Sequence, residues 1–235
     1  NVSIFGGGWL GQPLATTLSV KISKTPNSTK NQNGYHVRVT ARSEQTIITL
    51  KEHGLNAYPF SLGESLFTHK DAAELLNNDV VIINIPPGRK HLADNPQASQ
   101  QFVADMCMLI TQVSINQSAK LIFISTSAVY SDALEDVTEQ SEVAPTTESG
   151  RAHQAIEAFI LQHLEQSACI LRLAGLVGPA RHPGKFLAGR QHLSGASQVV
   201  NLIHQQDVIS AIEKIIGGHV WGETLHLAAQ AHPSR

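Results

Sequence analysis

The sequence predicts an α/β fold organised around a doubly wound parallel sheet. A short apolar strand at 2–5 runs directly into the glycine pattern Gly6-x-Gly8-x-x-Gly11. Apolar segments of strand length then alternate with helical patterns along the 235 residues of the chain. The segment 79–85 (DVVIINI) is apolar almost throughout, which is typical of a parallel strand buried on both faces. Ligands bind such a sheet at the carboxyl ends of its strands, where the strand order reverses.

Composition and charge are those of a globular chain. Hydrophobic residues make up 42% and charged residues 15%, and the formal net charge is −2. This charge indicates no positive electrostatic field that would attract nucleic acid or an anionic membrane surface. The 12 His are scattered without ligand spacing, so no metal site is expected. Cys107 and Cys169 are expected to be reduced residues in a helix and a strand. With no apolar stretch of membrane-span length and no signal peptide before the first strand, we expect a cytoplasmic protein.

Hydrophobic periodicity, and the residues that interrupt it, define the predicted elements. The first helix spans 10–19, with Pro13 in its first turn, where a missing N–H costs little. The polar segments 21–34 and 131–147 are expected to be loops. Further strands are predicted at 36–41, 56–60, 79–85, 120–125, 168–173, 199–203 and 224–228, further helices at 44–53, 71–76, 96–115, 149–165 and 206–216, and an irregular segment near a cleft at 178–195.

Two local predictions concern the second and the last helix. In the helix at 44–53, Ile47, Ile48 and Leu50 are expected to face the core. In the last helix, Asp207 is expected to cap the N-terminus, because a carboxylate there accepts hydrogen bonds from the first backbone N–H groups.

The glycine pattern after the first strand predicts a dinucleotide site. Gly6 permits the tight strand-to-helix turn, Gly8 lets a pyrophosphate approach the backbone, and Gly11 lets helix and strand pack closely. Trp9 and Leu10 lie between these glycines, where free N–H groups and the positive end of the helix dipole face the phosphates. The alternative is an ordinary glycine turn, but the position between a strand and a helix favours a cofactor.

The end of the second strand distinguishes NAD from NADP. An acidic residue there binds the ribose 2′-hydroxyl of NAD, whereas an Arg accommodates a 2′-phosphate. Here the strand is followed by Arg42 and Ser43, which offer a guanidinium fork and a hydroxyl to a phosphate. We therefore expect NADP, with NAD as the alternative if Arg42 is only a solvated charge after the strand.

Several segments, taken in order, resemble a known family. They are GGGWLG at 6–11, TARS at 40–43, IPPG at 85–88, ISTSAVY at 124–130, RLAGLVGPAR at 172–181 and VNLIHQQDV at 200–208. Together they resemble the short-chain dehydrogenase/reductase superfamily, and within it the atypical or extended branch that includes the NAD-dependent epimerase/dehydratase family. The resemblance covers nearly the whole chain. It implies a Rossmann-like domain at 1–173, with 174–235 returning to the sheet and forming a small substrate subdomain.

The same resemblance implies a nicotinamide enzyme that acts on nucleotide-sugars or related carbinols, and it includes families that form a homodimer through helices flanking the sheet. Thr126 matches the family's Ser or Thr, which hydrogen-bonds the substrate oxygen. The family's acid/base Tyr and its Lys fall on Ser149 and His153, so the Tyr-Lys pair is missing. The sequence has no Tyr between 131 and 235.

Three hypotheses follow from that departure. His153 is the acid/base, since its ordinary pKa lies near neutrality; the alternative is a helical His close to the cofactor. In the second hypothesis Tyr130 takes the role, although packing at the end of a strand is the favoured interpretation. In the third, the protein binds NADP without redox chemistry, as a non-catalytic module or redox sensor. A purely structural scaffold would bind no nucleotide.

Further site residues are expected around the cofactor. Pro86 and Pro87 end the predicted fourth strand and are expected to border the adenosine portion of the cofactor. The alternative is that they only terminate the strand and do not contact the cofactor. Gly178 is implied by the resemblance to lie against the nicotinamide. The resemblance also implies that the segment containing Arg181, Asn201 and His204 holds the substrate, and these polar side chains suit an anionic or polyhydroxylated small molecule. The alternative for Asn201 and His204 is that they are buried hydrogen-bond anchors. The expected function is an NADP-binding oxidoreductase or epimerase-like enzyme on a small carbonyl or carbinol.

Overall fold

The computed structural model describes residues 1–19, 34–88, 92–93, 95–116, 118–132, 136–182, 184, 188–189, 191 and 198–234. The strands are β1 Val2–Phe5, β2 Val37–Ala41, β3 Asn56–Pro59, β4 Val80–Ile83, β5 Lys120–Thr126, β6 Ala168–Leu173, β7 Gly175–Val177, β8 Leu202–His204 and β9 Glu223–Leu227. The α-helices are α1 Gly11–Ser19, α2 Glu44–Glu52, α3 Ala72–Leu75, α4 Pro96–Val113, α5 Glu148–Leu164 and α6 Gln205–Gly218. Short 3-10 turns lie at Leu66–Thr68, Ser127–Val129 and Glu165–Ser167.

The main sheet joins seven of these strands in the order β3-β2-β1-β4-β5-β6-β9. Each neighbouring pair in it is parallel, which confirms the predicted doubly wound fold. The chain runs outwards from β1 on one side and from β4 on the other, so the strand order reverses between β1 and β4. The carboxyl edge beside these two strands is therefore the place where a ligand would bind.

The sheet is packed on both faces, as its apolar strands require. One face carries a buried cluster that includes Leu14 of α1 and Ile212 of α6. The other face carries a second cluster, which includes Met106 of α4 and Ile156 of α5. Because α6 and β9 contribute to the first cluster and the main sheet, the C-terminal segment shares the principal core. The proposed domain boundary at 173 stays a prediction.

Three local expectations are corrected or extended. Leu50 of α2 is fully buried, but Ile48 is 43% exposed, because the inward line of this short helix passes through Leu50 and the partly buried Ile47. The strand expected at 199–203 begins later, at Leu202, and pairs with the unpredicted β7 in a separate two-stranded sheet. Of the loop expected at 21–34, only Gly34 belongs to the described residues, and the segment 178–195 is described in part.

Candidate functional site

The glycine loop between β1 and α1 is held by the two strands that flank β1. Gly6 has a left-handed φ of 111°, and a Cβ added to it would lie 2.2 Å from the backbone oxygen of Asn84. The Asn84 side chain donates to the Gly6 carbonyl oxygen at 3.2 Å. On the other side, Thr40 of β2 accepts from the Gly7 N–H at 2.6 Å. Only glycine fits at position 6, and hydrogen bonds on both sides join the loop to Thr40 and Asn84.

Gly11 brings α1 close to this loop. A Cβ at Gly11 would lie 2.0 Å from the Gly6 carbonyl oxygen, which is the close helix–strand packing expected of the third glycine. At Gly8 the situation is the opposite. An added Cβ would meet no described atom within 4 Å, and Gly8 is exposed. The space above Gly8 is thus open for another molecule.

The backbone N–H groups of the loop indicate the chemical class of that molecule. None of the N–H groups of Gly8, Trp9 and Leu10 makes a backbone hydrogen bond to another described residue. They stand at the N-terminus of α1, where the helix dipole favours negative charge. The Leu10 side chain is buried in the core, so this residue can serve a ligand only through its backbone. The loop fits the pyrophosphate of a dinucleotide.

The Trp9 side chain ties the loop to the C-terminal segment. Its indole N–H donates to the Pro179 carbonyl oxygen at 2.8 Å. A Cβ on Gly178 would approach the Trp9 ring to 3.1 Å, so the turn after β7 packs tightly on the indole. The Arg181 guanidinium lies 5.1 Å from the centre of the same ring. From α6, the Gln205 side chain donates to the Trp9 carbonyl oxygen at 2.6 Å.

Arg42 and Ser43 differ in their availability to a ligand. Both are exposed and follow β2 directly, at the edge where Thr40 binds the glycine loop. Ser43 caps α2: its hydroxyl accepts from the Thr46 N–H at 3.3 Å and lies 2.7 Å from the Thr46 hydroxyl. Among the described residues, no carboxylate forms an ion pair with Arg42. Arg42 is therefore the better placed of the two to receive a phosphate.

Pro86 and Pro87 follow β4, the strand beside β1 at the point of reversal. Pro86 is exposed and Pro87 is partly exposed, and Gly88 turns the chain with a φ of 58°. The strand β4 ends at Ile83, so Asn84 and Ile85 separate it from the prolines, which do not terminate it directly. The prolines lie at the edge where a ligand would bind.

Thr126 ends β5 at the same edge of the sheet. Its hydroxyl oxygen accepts from the Ala128 N–H at 3.2 Å, which leaves the hydroxyl proton able to donate to a substrate oxygen. The N-terminus of α5 packs directly on this turn, because a Cβ at Gly150 would lie 2.3 Å from the Ala128 carbonyl oxygen. The structure thus brings the first turn of α5, with Ser149, against the turn that follows Thr126.

Ser149 and His153 occupy successive turns of α5 and are both buried. His153 Nδ1 lies 2.7 Å from the Ser149 carbonyl oxygen. Since a carbonyl only accepts, Nδ1 carries a proton, and when the ring is neutral its basic nitrogen is Nε2. The imidazole also lies against the Phe123 ring, with 6.0 Å between ring centres. His153 is therefore oriented by its own helix and by β5.

A buried ion pair lies one helical turn further along α5. Glu157 receives Arg172 of β6 in a two-pronged contact, with distances of 2.7 Å from Nη2 and 3.1 Å from Nε to the same Oε2. The Ser125 hydroxyl donates to the other carboxylate oxygen. All three residues are buried. The contact fixes α5 relative to β5 and β6.

Tyr130 is tied into the same network. Its hydroxyl accepts from Arg172, donates to the Thr138 carbonyl oxygen at 3.0 Å and lies 2.6 Å from His226 Nε2. Burial raises the pKa of Tyr130 above its ordinary value. With its hydroxyl enclosed by three partners, Tyr130 is not available as the acid/base, and the interpretation as packing at the strand end is supported.

His226 and Glu139 close the network from β9 and the loop before α5. The His226 backbone N–H donates to Glu139 Oε1 at 3.0 Å. That hydrogen bond is the main cause that lowers the pKa of the Glu139 carboxyl. Desolvation by burial lowers the pKa of His226, which favours the neutral ring.

Asn201 and His204 are exposed but already engaged. The Asn201 side-chain oxygen accepts from His232 Nδ1 at 2.7 Å. His204 Nδ1 accepts from the Gln206 N–H at 3.2 Å and caps α6. The expectation that Asp207 caps this helix is wrong, because the helix begins at Gln205 and Asp207 lies inside its first turn.

The described residues contain no group of three His, Cys, Asp or Glu side chains arranged to hold a metal ion. In the same part of the chain, no helix combines the length and apolar character needed to cross a bilayer. Cys107 and Cys169 are both free thiols, and burial raises the pKa of Cys169 to about 12.

A parallel sheet whose strand order reverses beside a glycine loop with open N–H groups defines a dinucleotide-binding α/β protein. The profile of the NAD dependent epimerase/dehydratase family matches residues 29–219. Protein YeeZ of Escherichia coli (strain K12) is 32% identical over 237 residues, which cover 100% of this chain and 79% of that protein. The chain belongs to the NAD dependent epimerase/dehydratase family.

Solved structures share the fold at low identity. The UDP-glucose 4-epimerase of Thermotoga maritima with UDP-glucose has a TM-score of 0.77 and 16% identity, covering 100% of this chain and 78% of that chain. DesIV of Streptomyces venezuelae, a dTDP-glucose 4,6-dehydratase with NAD and TYD bound, has a TM-score of 0.75 and 16% identity, covering 99% of this chain and 77% of that chain.

Sequence reasoning missed the network of Ser125, Glu157, Arg172 and His226. One signal for it was present: Arg172 interrupts the apolar strand ACILRL, and a charge in a buried strand needs a partner. The contact of Trp9 with the turn at 178–181 was also missed, because the two lie far apart along the chain.

Proposed function

We propose that this protein binds NADP in the glycine loop and acts as an oxidoreductase or epimerase-like enzyme on a small carbonyl or carbinol. The observation that carries the proposal is the open cradle at Gly8, Trp9 and Leu10, whose backbone donors meet no described partner. Such donors at a helix N-terminus suit the two phosphates of a dinucleotide. Pro86, Pro87 and Gly178 lie on elements adjoining the cradle and would border the same ligand.

The residues directly after β2 favour NADP over NAD. Arg42 is exposed and stands after β2, the neighbour of β1, where a guanidinium can receive a 2′-phosphate through two parallel hydrogen bonds. The two described residues that follow β2 are not acidic, so neither offers a carboxylate to the ribose 2′-hydroxyl of NAD. Ser43 contributes less, since its hydroxyl is engaged as a helix cap.

The proposed chemistry uses Thr126 and His153. When bound, the nicotinamide ring supplies the hydride chemistry. Thr126 would donate its hydroxyl proton to the substrate oxygen as charge develops there. His153 would hold or release a proton at Nε2, with Nδ1 fixed on the Ser149 carbonyl. Ser149 serves through that carbonyl, and a hydroxyl without an activating base is a poor acid/base.

A second candidate is a non-catalytic NADP-binding module or redox sensor. The observation that favours it is the burial of both Ser149 and His153, each less than a tenth exposed, together with the enclosure of the Tyr130 hydroxyl. Asn201 and His204 already have partners and would need to release them to hold a substrate.

Cofactor titration tests the binding proposal. We expect NADPH to bind the purified protein at least about tenfold more tightly than NADH, and Arg42→Ala to remove most of that preference. The matched control is Lys51→Ala, which removes an exposed charge from the other end of α2. Equal affinity for both nucleotides, or an unchanged preference in Arg42→Ala, would overturn the choice of NADP.

Turnover separates the enzyme from the module. NADPH oxidation with aldehydes and ketones, and epimerisation of nucleotide-sugars in the presence of NADP⁺, are measured for the wild type, His153→Ala and Thr126→Val. The enzyme predicts turnover of at least one substrate in one of these two assays, and a loss of about 100-fold or more in the His153 variant. Binding of NADPH without turnover in either assay favours the module. Unchanged turnover in His153→Ala removes His153 as the acid/base.

A further inference from the structure

Arg181 is an exposed cation held in place by the glycine loop. Its guanidinium lies 5.1 Å from the centre of the Trp9 ring, a cation–π contact. Within the described part of the chain, no carboxylate lies within ion-pair distance of it. Stacking uses the face of a guanidinium and leaves its edge N–H donors available to a planar or tetrahedral anion.

The backbone that carries Arg181 is fixed as well. Gly178 and Arg181 exchange backbone hydrogen bonds of 2.9 and 3.2 Å across a tight turn, in which Ala180 has a φ of 60°. The Trp9 indole binds the Pro179 carbonyl inside this turn. The position of the turn is therefore set by a residue of the glycine loop.

Arg181 carries a positive charge that the side chains of the glycine loop lack. The loop sequence 6–12 (GGGWLGQ) contains no cationic side chain, although its open N–H groups face the position of a doubly charged pyrophosphate. We propose that Arg181, stacked on Trp9, supplies the side-chain cation for the pyrophosphate of the dinucleotide and is a cofactor-binding residue. This inference rests on the proposed dinucleotide binding, and it differs from the substrate role that the resemblance implied.

Three ligands distinguish the possible sources of the anion. ADP-ribose carries the pyrophosphate but neither a 2′-phosphate nor a nicotinamide, NADPH carries all three, and adenosine 2′-monophosphate carries neither phosphate of the pyrophosphate. Arg181→Ala is expected to raise the Kd for ADP-ribose and for NADPH by the same factor, about tenfold. The Kd for adenosine 2′-monophosphate should change much less. In contrast, Arg42→Ala should weaken only the two ligands with a 2′-phosphate.

Controls separate a charge effect from a change of fold. Lys214→Ala removes the same charge from an exposed position of α6, further along the helix from Gln205, and should leave every Kd unchanged. Arg181→Lys keeps the charge and should recover part of the affinity for ADP-ribose. The Kd of the wild type should rise with salt more steeply than that of Arg181→Ala, which a purely structural effect would not produce.

The outcomes are distinct. If the wild type binds ADP-ribose and NADPH, and Arg181→Ala binds both equally well, Arg181 does not contact the pyrophosphate and this inference is overturned. If Arg181→Ala also loses affinity for adenosine 2′-monophosphate by the same factor, the cation serves another part of the ligand and the inference fails. If the wild type binds none of the three ligands, the proposed function itself fails.

Discussion

Two polar regions of this molecule differ in whether their hydrogen-bonding groups have partners within the protein. In the glycine loop, the backbone N–H groups of Gly8, Trp9 and Leu10 find no described acceptor and lie next to open space. In the network around Arg172, guanidinium, carboxylate and hydroxyl groups are buried and bind one another. Exposed donors can bind water until a ligand replaces it, whereas charges that folding buries must be paired in the folded protein.

Substitutions in these two regions should therefore affect different properties of the protein. A change in the network should reduce the free energy of unfolding. A change in the loop should mainly weaken dinucleotide binding, provided that the new side chain avoids the backbone. The following variants test this difference.

The largest expected effect is that of Arg172→Met. It leaves the Glu157 carboxylate, 2% exposed, without its cation, and removing one partner of a buried pair costs about 3–5 kcal/mol. Urea unfolding measures the loss. Adding Glu157→Gln should recover part of it, since the unpaired charge is then gone.

Arg151→Met is the matched control for this change. Arg151 pairs with Glu148 on the exposed side of α5, and a surface pair contributes at most about 1 kcal/mol. If Arg172→Met costs no more than Arg151→Met, the buried network does not stabilise the fold.

Gly11→Ala should come next. Its Cβ would lie 2.0 Å from the Gly6 carbonyl oxygen, so α1 must shift, at a cost of about 1–3 kcal/mol, and NADPH binding should fall with it. Gly217→Ala in α6 is the control, because no described atom lies within 4 Å of the added Cβ and Ala is the better helix residue. Equal stability of the two variants would contradict close packing at Gly11.

Gly8→Ala isolates binding from folding. The added methyl meets no described atom within 4 Å, and Gly8 is not among the residues with positive φ. We expect the free energy of unfolding to change by less than about 0.5 kcal/mol. The Kd for NADPH should rise at least about tenfold, because the methyl occupies the space of the pyrophosphate. Unchanged affinity would remove Gly8 from the site.

The smallest effect concerns pH. Desolvation lowers the pKa of His226 in the folded protein, so below its unfolded pKa of about 6.5 the unfolded state binds more protons. Stability should therefore fall as the pH falls from about 7.5 to about 5.5. His226 faces Tyr130, Arg172, Glu139 and Glu157.

Thermal unfolding across this range checks the sign. The Tm of the wild type should fall more on acidification than that of His226→Asn, which keeps a polar side chain but does not titrate. An equal fall in both proteins would show that other groups determine the acid side of the stability curve.

Local patterns were enough to predict most of the fold. The strands β1, β4, β5 and β6 were placed within about two residues, because each is a continuous apolar segment bounded by polar or turn residues. The three-residue strand β7 was not predicted, since a strand that short has no periodicity. Ile48 was placed inward wrongly, because a nine-residue helix can turn either of two apolar neighbours to the core.

The candidate site was predictable only in part. The glycine loop and Arg42 follow from their positions after β1 and β2. Whether Thr126, Ser149 and His153 act on a substrate stays a prediction, although Gly150 packs the first turn of α5 onto the turn after Thr126.

The sequence by itself determined the fold class, the order of strands and helices, and the location of the glycine loop. These depend on residues close together along the chain. Only the tertiary structure decided that Arg172 binds Glu157 and Tyr130, and that Trp9 holds the turn bearing Arg181. The partners lie on different strands and helices, so the folded geometry, not the local pattern, selects which polar groups meet.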